Sequence, residues 1–506
     1  MNGYNYTGTP AIAHRAAIDE ITELSEFDAW VGGEPTAAEG RGRVATTDPV
    51  INTPITEIPA FQRSDVDAAV SVAWDTFDTT WSGTTPAERS QLLHDWIDAL
   101  KSHIDELTLL ECIDTGKPLA HARGEVEGAI ETLKYYAATT RIKEGKQIDA
   151  KNDLHLYTRR EPYGVVGQIV PWNFPIWAAA WKLGPALAAG NCTVLKPSEN
   201  SPLTTIRMAE LTADILPDGV VNVVTGSGSK VGGRLTEHDD VRKISFTGSC
   251  EVGQQVMESA ASHTAAITLE LGGKSPFIVF PDADIDKVVD AVAEGVFYST
   301  GEICDALSRA IVHEDVVAQF TDRFVEKAES YVLGDPLREE TTMGPLTTAA
   351  QLEKVQEYIE IGREEGATLL TGGSIPTGHE LEDGLYIEPT VFGDVTNDMR
   401  IARGEIFGPV QTIQSFSTYE EAIELANDTP FGLAAGIGTE KTSLVHNAAA
   451  DIDAGLVYVN EYGPILPDAP YGGFKDSGIG RDLGKEALDH YQQTKSVYVN
   501  LDEPSL

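Results

Sequence analysis

Between residues 161 and 271 the chain repeats one rhythm, a short apolar run followed by a stretch long enough for one helix. The runs lie near Val165–Val170, Cys192–Leu195, Val220–Val224, Lys243–Phe246 and Ala266–Leu271. Such alternation builds a parallel sheet covered by helices on both faces. Right-handed crossovers then make it a doubly wound α/β domain. A second α/β series starts at Phe277–Phe280 and continues through Ala310–Val312, Gln411–Phe416, Leu433–Ile437 and Leu456–Asn460. From about residue 50 the pattern is helical. Val66, Ala69, Val70, Ala73, Trp74 and Phe77 share one face, and Thr85-Pro86-Ala87-Glu88 reads as a capping box opening a helix with Leu92, Leu93, Trp96, Ile97 and Leu100. Two segments, about 141–160 and 486–506, carry β-like runs (Leu154–Tyr157, Ser496–Val499) that fit neither sheet. They predict an antiparallel flap whose edge strands dock on another subunit.

A chain of 506 residues exceeds one core and implies two or three domains. With 42% hydrophobic and 23% charged residues it is globular rather than disordered. Lys and Arg number 37 against 79 Asp and Glu, a net charge of −42 spread along the whole length. That much like charge repels itself unless screened. It fits an acidic surface in a salt-rich, halophilic interior, with an ordinary acidic protein as the alternative. Nucleic acid and anionic membrane surfaces are excluded as partners on the same ground. Four cysteines without a C-x-x-C pair fit a reducing cytoplasm. The first residues lack a basic-then-apolar signal pattern, and the apolar run from Phe174 to Ala189 is too short and too broken to span a bilayer.

Two residues carry the chemistry. Cys304 sits in a polar, glycine-flanked segment, Phe297 to Arg309, which suits an accessible loop; a buried core thiol is the other reading. Cys192 lies in an apolar strand, Cys112 in a helix and Cys250 at a helix start, and these three read as structural. Glu270 closes a strand that reads as buried, where a carboxyl rises in pKa and can serve as a general base. Thiol and carboxylate in one cleft suffice for a covalent acyl-enzyme and its hydrolysis. Lys196 and Glu199 follow the second strand, where dinucleotide folds place a ribose-binding acid; a charged loop is the alternative. A carboxylate there repels a 2′-phosphate and favours NAD over NADP. Gly248 and Ser249 lead into a helix start able to hold a pyrophosphate. Asn173, after the first strand, is a turn residue or an oxyanion donor. The sequence has no P-loop, no G-x-S-x-G and no H-E-x-x-H among its 11 histidines, so no metal is expected.

As a set these motifs resemble the NAD(P)-dependent aldehyde dehydrogenase superfamily. The matching pieces are Pro171-Trp172-Asn173-Phe174-Pro175, Lys196-Pro197-Ser198-Glu199, Phe246-Thr247-Gly248-Ser249, Glu270-Leu271-Gly272-Gly273-Lys274, the Cys304 segment, Glu405-Ile406-Phe407-Gly408-Pro409 and Gly472 to Arg481, in the family's order. The resemblance implies two doubly wound α/β domains plus a small β flap for oligomerisation. An NAD-binding domain would span 1–140 and 161–271, a catalytic domain 272–485, and the flap 141–160 with 486–506. It implies a homo-oligomer, dimer or tetramer. It also implies that Cys304 attacks an aldehyde, that Asn173 and the Cys304 N–H hold the oxyanion, that hydride passes to NAD leaving a thioester, and that Glu270 activates the hydrolytic water. Trp172, Lys196, Glu199, Gly248, Ser249, Glu405 and Phe407 would bind the cofactor.

One position departs from the family, which usually has Gln where this chain has Glu302. Ionised beside Cys304, Glu302 would raise the thiol pKa; otherwise it points to solvent. Within the family the runs Asp114–Lys117, Tyr157–Pro162 and the glycine-rich C-terminal segment look most like the betaine-aldehyde dehydrogenase type. That type holds a quaternary ammonium by cation–π contact, and Phe174, Trp181, Tyr298 and Tyr471 would line the tunnel. A broad-specificity or semialdehyde dehydrogenase is the enzymatic alternative. A non-catalytic binding or structural relative is the remote one, opposed by the presence of both Cys304 and Glu270.

Overall fold

The computed structural model describes residues 6–38, 42–142, 144–377 and 381–501. Its first sheet has eight strands, in spatial order Gly478–Ile479, Ala266–Glu270, Lys243–Thr247, Val165–Ile169, Cys192–Lys196, Val221–Val223, Ala29–Val31 and Glu34–Thr36. The five strands anticipated from the apolar runs form its parallel centre. The edges are antiparallel, so the sheet is mixed. Alanine-rich helices cover it, including Pro175–Ala189, almost wholly buried, and Arg63–Thr79, which turns Val66, Ala69, Val70 and Ala73 inward. The capping box forms as read: Glu88 N donates to Thr85 Oγ1 and Thr85 N donates to the Glu88 carboxylate at 2.7 Å.

The second sheet has seven strands, ordered Thr368–Thr371, Thr390–Gly393, Val410–Phe416, Arg309–His313, Pro276–Val279, Ala434–Gly438 and Leu456–Val459. All neighbours pair in parallel except Thr368–Thr371 with Thr390–Gly393. The helix Ile285–Phe297 packs on it through Val288, Val289, Val292 and Val296.

Three further pieces complete the fold. Gln147–Lys151, Leu154–Pro162 and Gln492–Asn500 form a three-stranded antiparallel sheet. Arg43–Asp48 and Thr53–Pro59 pair as a hairpin. The helix Pro10–Thr22 is fastened by His14, whose Nδ1 lies 2.7 Å from Asp48 and Nε2 2.9 Å from Asp335, with all three residues buried. Among the described residues no helix is long and apolar enough to cross a membrane.

Candidate active site

The parallel strands of the first sheet end on one edge, where ligands bind in open α/β sheets. Lys196 and Glu270 are the last residues of their strands, Gly248 and Ser249 follow Thr247, and Asn173 sits in the turn after Val165–Ile169. Cys304 arrives from the side of the second sheet, between the helix Ile285–Phe297 and the strand Arg309–His313. Its approach is a tight reversal in which Ser299, Thr300 and Gly301 all have left-handed φ (48°, 54° and 74°). Two non-glycine residues there store strain of the sort that gathers at functional sites.

Two glycines let the halves meet. A Cβ on Gly272 would overlap the Glu405 carboxylate, and one on Gly273 would come 2.6 Å from the Cys304 carbonyl oxygen. Gly273 N instead donates to Glu405 Oε1 at 3.1 Å. The turn that leaves Glu270 therefore packs directly on Glu405 and on the backbone of Cys304.

The result is a cavity of about 210 Å3 that brings Cys304, Glu270 and Asn173 together. Trp172, Gly248, Ser249, Glu405 and Phe407 line it as well, with Phe174, Trp181 and Tyr471 on the aromatic side. Lys196 and Glu199 lie outside it, joined at 2.7 Å, with Glu199 also accepting from Gly228 N at 3.2 Å. Tyr298 does not line it, contrary to expectation. It caps the helix Ile285–Phe297 just before the left-handed turn, and its ring stacks between His121 (centroids 4.2 Å apart) and Phe174 (6.5 Å), behind the cavity wall.

The electrostatics suit a protonated resting state. Burial pushes the Cys304 thiol up, and the neighbouring Asp305 carboxylate pushes it further, while Tyr471, whose hydroxyl lies 3.2 Å from Sγ, opposes them. Burial also holds the Glu270 carboxyl well above the ordinary carboxylate range; Asp482 adds to this, and Lys182 and Arg481 oppose it. Glu270 Oε2 is buried and has no hydrogen-bond partner among the described residues, which leaves it free to meet a polar group placed in the cavity. Asn173 Nδ2 donates to the Glu302 carbonyl at 2.8 Å, which fixes the amide over the Cys304 loop.

Glu302 corrects the solvent-facing reading. It is buried, and its carboxyl accepts from Thr347 N at 3.1 Å and from Thr347 Oγ1 at 2.7 Å. Burial pushes its pKa up to about 8. Near pH 7 it is therefore mostly protonated and neutral, close in shape and charge to the Gln usual in the family. Cys250 is the first residue of the helix Cys250–Ala261, half-buried, its thiol raised to about 11 by burial.

Several residues at or behind the cavity wall were not anticipated. Trp177 shares a helical face with Trp181, four residues on, a spacing that places both on the cavity side. Gln351 Nε2 donates to the carbonyls of Ile406 (2.8 Å) and Phe407 (2.7 Å), holding the loop whose Phe407 ring meets Trp172 edge-on. Lys117 has no local signal. Its buried ammonium donates to Glu125 at 2.6 Å and to the Asn173 carbonyl, and lies 4.2 Å over the Phe174 ring. It holds the Asn173 turn from behind.

Residues 36–497 match the model of the aldehyde dehydrogenase family. The chain belongs to the aldehyde dehydrogenase family. It is 41% identical over 469 residues to an aldehyde dehydrogenase of Davidiella tassiana, covering 92% of this chain and 94% of that protein. Two solved aldehyde dehydrogenase structures are similar throughout. One is the putative aldehyde dehydrogenase of Burkholderia cenocepacia (40% identity, TM-score 0.93, 95% of this chain and 99% of that one). The other is the betaine aldehyde dehydrogenase of Staphylococcus aureus in complex with NAD+ (35% identity, TM-score 0.95, 97% and 98%). As an aldehyde dehydrogenase the chain is an enzyme that oxidises aldehydes.

Proposed function

We propose that this enzyme oxidises an aldehyde to a carboxylic acid with NAD through a covalent intermediate on Cys304. The observation that carries the reading is the single cavity that holds Cys304, Glu270 and Asn173 together with Glu405 and Phe407. The residues present fit a dinucleotide. The Lys196–Glu199 pair stands at a strand end where an adenosine ribose binds. Ser249 caps the N-terminus of a twelve-residue helix able to take a pyrophosphate. Glu405 and Phe407 line the cavity with Cys304 and would hold the nicotinamide ribose and ring. NAD, when bound, accepts a hydride. Glu199 favours it over NADP by repelling a 2′-phosphate.

In this reading Cys304 Sγ, its proton passed to solvent water, attacks the aldehyde carbon to give a thiohemiacetal. Asn173 Nδ2 and the Cys304 N–H hold the oxyanion. Once hydride is lost, Cys304 carries a thioester. Glu270 then takes a proton from water as it attacks the acyl carbon, which releases the acid and the thiolate. Lys117 keeps the Asn173 turn in place.

Betaine aldehyde is the leading substrate. Phe174, Trp177, Trp181 and Tyr471 surround the acyl end, as a quaternary ammonium requires. Lys354, the one basic residue among the described lining, interacts with Glu405, assigned here to the cofactor, and so is not an anchor for the acid group of a semialdehyde acid. The three-stranded sheet, with Tyr498 and Ile148 exposed on it, would join subunits into a dimer or tetramer. The division into 1–140 with 161–271, 272–485, and 141–160 with 486–506 belongs to this proposal, as do a salt-adapted source and a cytoplasmic setting.

The test is NADH absorbance at high KCl with betaine aldehyde, aliphatic aldehydes and semialdehydes, and with Cys304→Ala as control. NADH formation by the wild type alone is expected. Equal rates for the two proteins would end the mechanism.

A further inference from the structure

We infer that Asp305 selects aldehydes bearing a positive charge, acting as a fixed negative charge beside the acyl end of the cavity. The inference rests on the proposed reading of Cys304 as nucleophile. Asp305 is the next residue in the chain, is fully buried and borders the same cavity. Its carboxylate is clamped: Tyr458 donates to Oδ2 at 2.7 Å and Tyr462 to Oδ1 at 3.1 Å. Their rings meet edge-on, with centroids 5.4 Å apart. Among the described residues no lysine, arginine or histidine forms an ion pair with it. Three acids, Glu270, Asp305 and Glu405, line the cavity, with Lys354 the one basic residue among its described lining; Asp305 is the acid whose two oxygens both accept phenol hydroxyls.

A buried carboxylate without a cation is costly, and chains retain one where something compensates it. Burial raises the Asp305 carboxyl above its ordinary 3.8, and hydroxyls supply part of the compensation, since Tyr458, Tyr462 and Tyr471 oppose the rise by favouring the ionised form. A cation bound against Trp177, Trp181 and Tyr471 would supply the rest. The same charge raises the Cys304 thiol at rest. A cationic substrate would offset that field when it arrives, so the nucleophile ionises more readily with the right aldehyde in place. Selection and activation then come from one carboxylate. The aromatic wall alone would give cation–π attraction without this second effect.

The experiment compares kcat/KM for betaine aldehyde with that for tert-butylacetaldehyde, its uncharged isostere, in wild type, Asp305→Asn and Asp305→Glu. Asp305→Asn is expected to lower the charged-to-neutral ratio at least about tenfold, the size of one lost charge contact in a poorly screened site. Asp305→Glu is expected to restore most of it. An unchanged ratio in Asp305→Asn would overturn the inference and leave selection to the aromatic rings.

A second readout needs no turnover. Cys304 is labelled with a trimethylammonium-bearing and a sulfonate-bearing methanethiosulfonate, each exchanging its sulfinate for the cysteine sulfur, and the Cys304 peptide is quantified by mass spectrometry. The wild type should react faster with the cationic reagent, the bias should shrink at least about fivefold in Asp305→Asn, and neutral iodoacetamide should label the variant at lower pH. Equal bias and equal pH profiles would also overturn it. If neither aldehyde yields NADH, the proposed function fails on its own, and the labelling arm still decides the role of Asp305.

Discussion

Raising the pH should unfasten the N-terminal helix well before it unfolds the enzyme. His14 is fully buried between Asp48 and Asp335, which come from a hairpin and from a loop 321 residues away. Burial alone would lower the imidazole pKa. Hydrogen bonds and charge from Asp335 and Asp48 outweigh it and raise the value from 6.5 to about 9. The Asp335 carboxyl is held below its ordinary 3.8: burial would raise it, but His14, the Leu337 N–H and Arg338 overcome that. A folded pKa above the unfolded one means that stability is fully present below pH 6.5 and drains away as pH climbs through about 9. The shift from 6.5 to about 9 corresponds to roughly 3 kcal/mol. Because the triad joins one short helix to the rest, the loss should appear as local opening of Pro10–Thr22. Hydrogen exchange of a peptide covering that helix, corrected for the intrinsic pH dependence of exchange, should speed up on the order of a hundredfold between pH 6.5 and 9.5. In His14→Gln the helix should exchange fast at both pH values. Parallel profiles for wild type and variant would refute the assignment of the charge to His14.

Three other outcomes follow from the site. Glu302→Gln should match or exceed wild-type activity at pH 7, where the acid is mostly neutral, and should outperform it above pH 8, where the wild-type carboxyl ionises; a strong loss at pH 7 in steady-state rates would contradict the neutral-mimic account. Glu270→Gln should lower kcat at least about a hundredfold and let acylated Cys304 accumulate, seen as a mass increase on intact protein, since the amide cannot take a proton from water. Gly272→Ala should push Glu405 out of its place, raising the KM for NAD more than that for aldehyde; equal changes in both would argue against Glu405 at the cofactor end.

The sheet centres were legible because each strand is a local apolar run bounded by helix signals, as at Val165–Val170 and Ala266–Leu271. The Thr85 capping box was legible for a similar reason: its partners lie three residues apart. The edges were not. Ala29–Val31 is three residues long, and the hairpin strand Arg43–Asp48 is half-exposed and threonine-rich, with no apolar alternation to mark it. Within the site, Cys304 and Glu270 stood out by family motif, whereas their surroundings depend on distant partners. Glu302 is buried because Thr347 meets it 45 residues on. Tyr298 sits behind the wall because His121, on another helix, stacks with it. Lys117 reaches the Asn173 carbonyl across 56 residues. No window of the sequence contains both members of any of these pairs.

The little strand Gly478–Ile479 closes the edge of the first sheet beside the Glu270 strand, and Asp482 just after it pairs with the buried Lys182 at 3.0 Å. On a ribosome making this protein, the first sheet is thus left with an open border, and Lys182 without its carboxylate, until residues 478–482 have emerged. The sheet cannot be completed before then, and a fragment stopping near residue 272 should stick to its own kind through the bare strand.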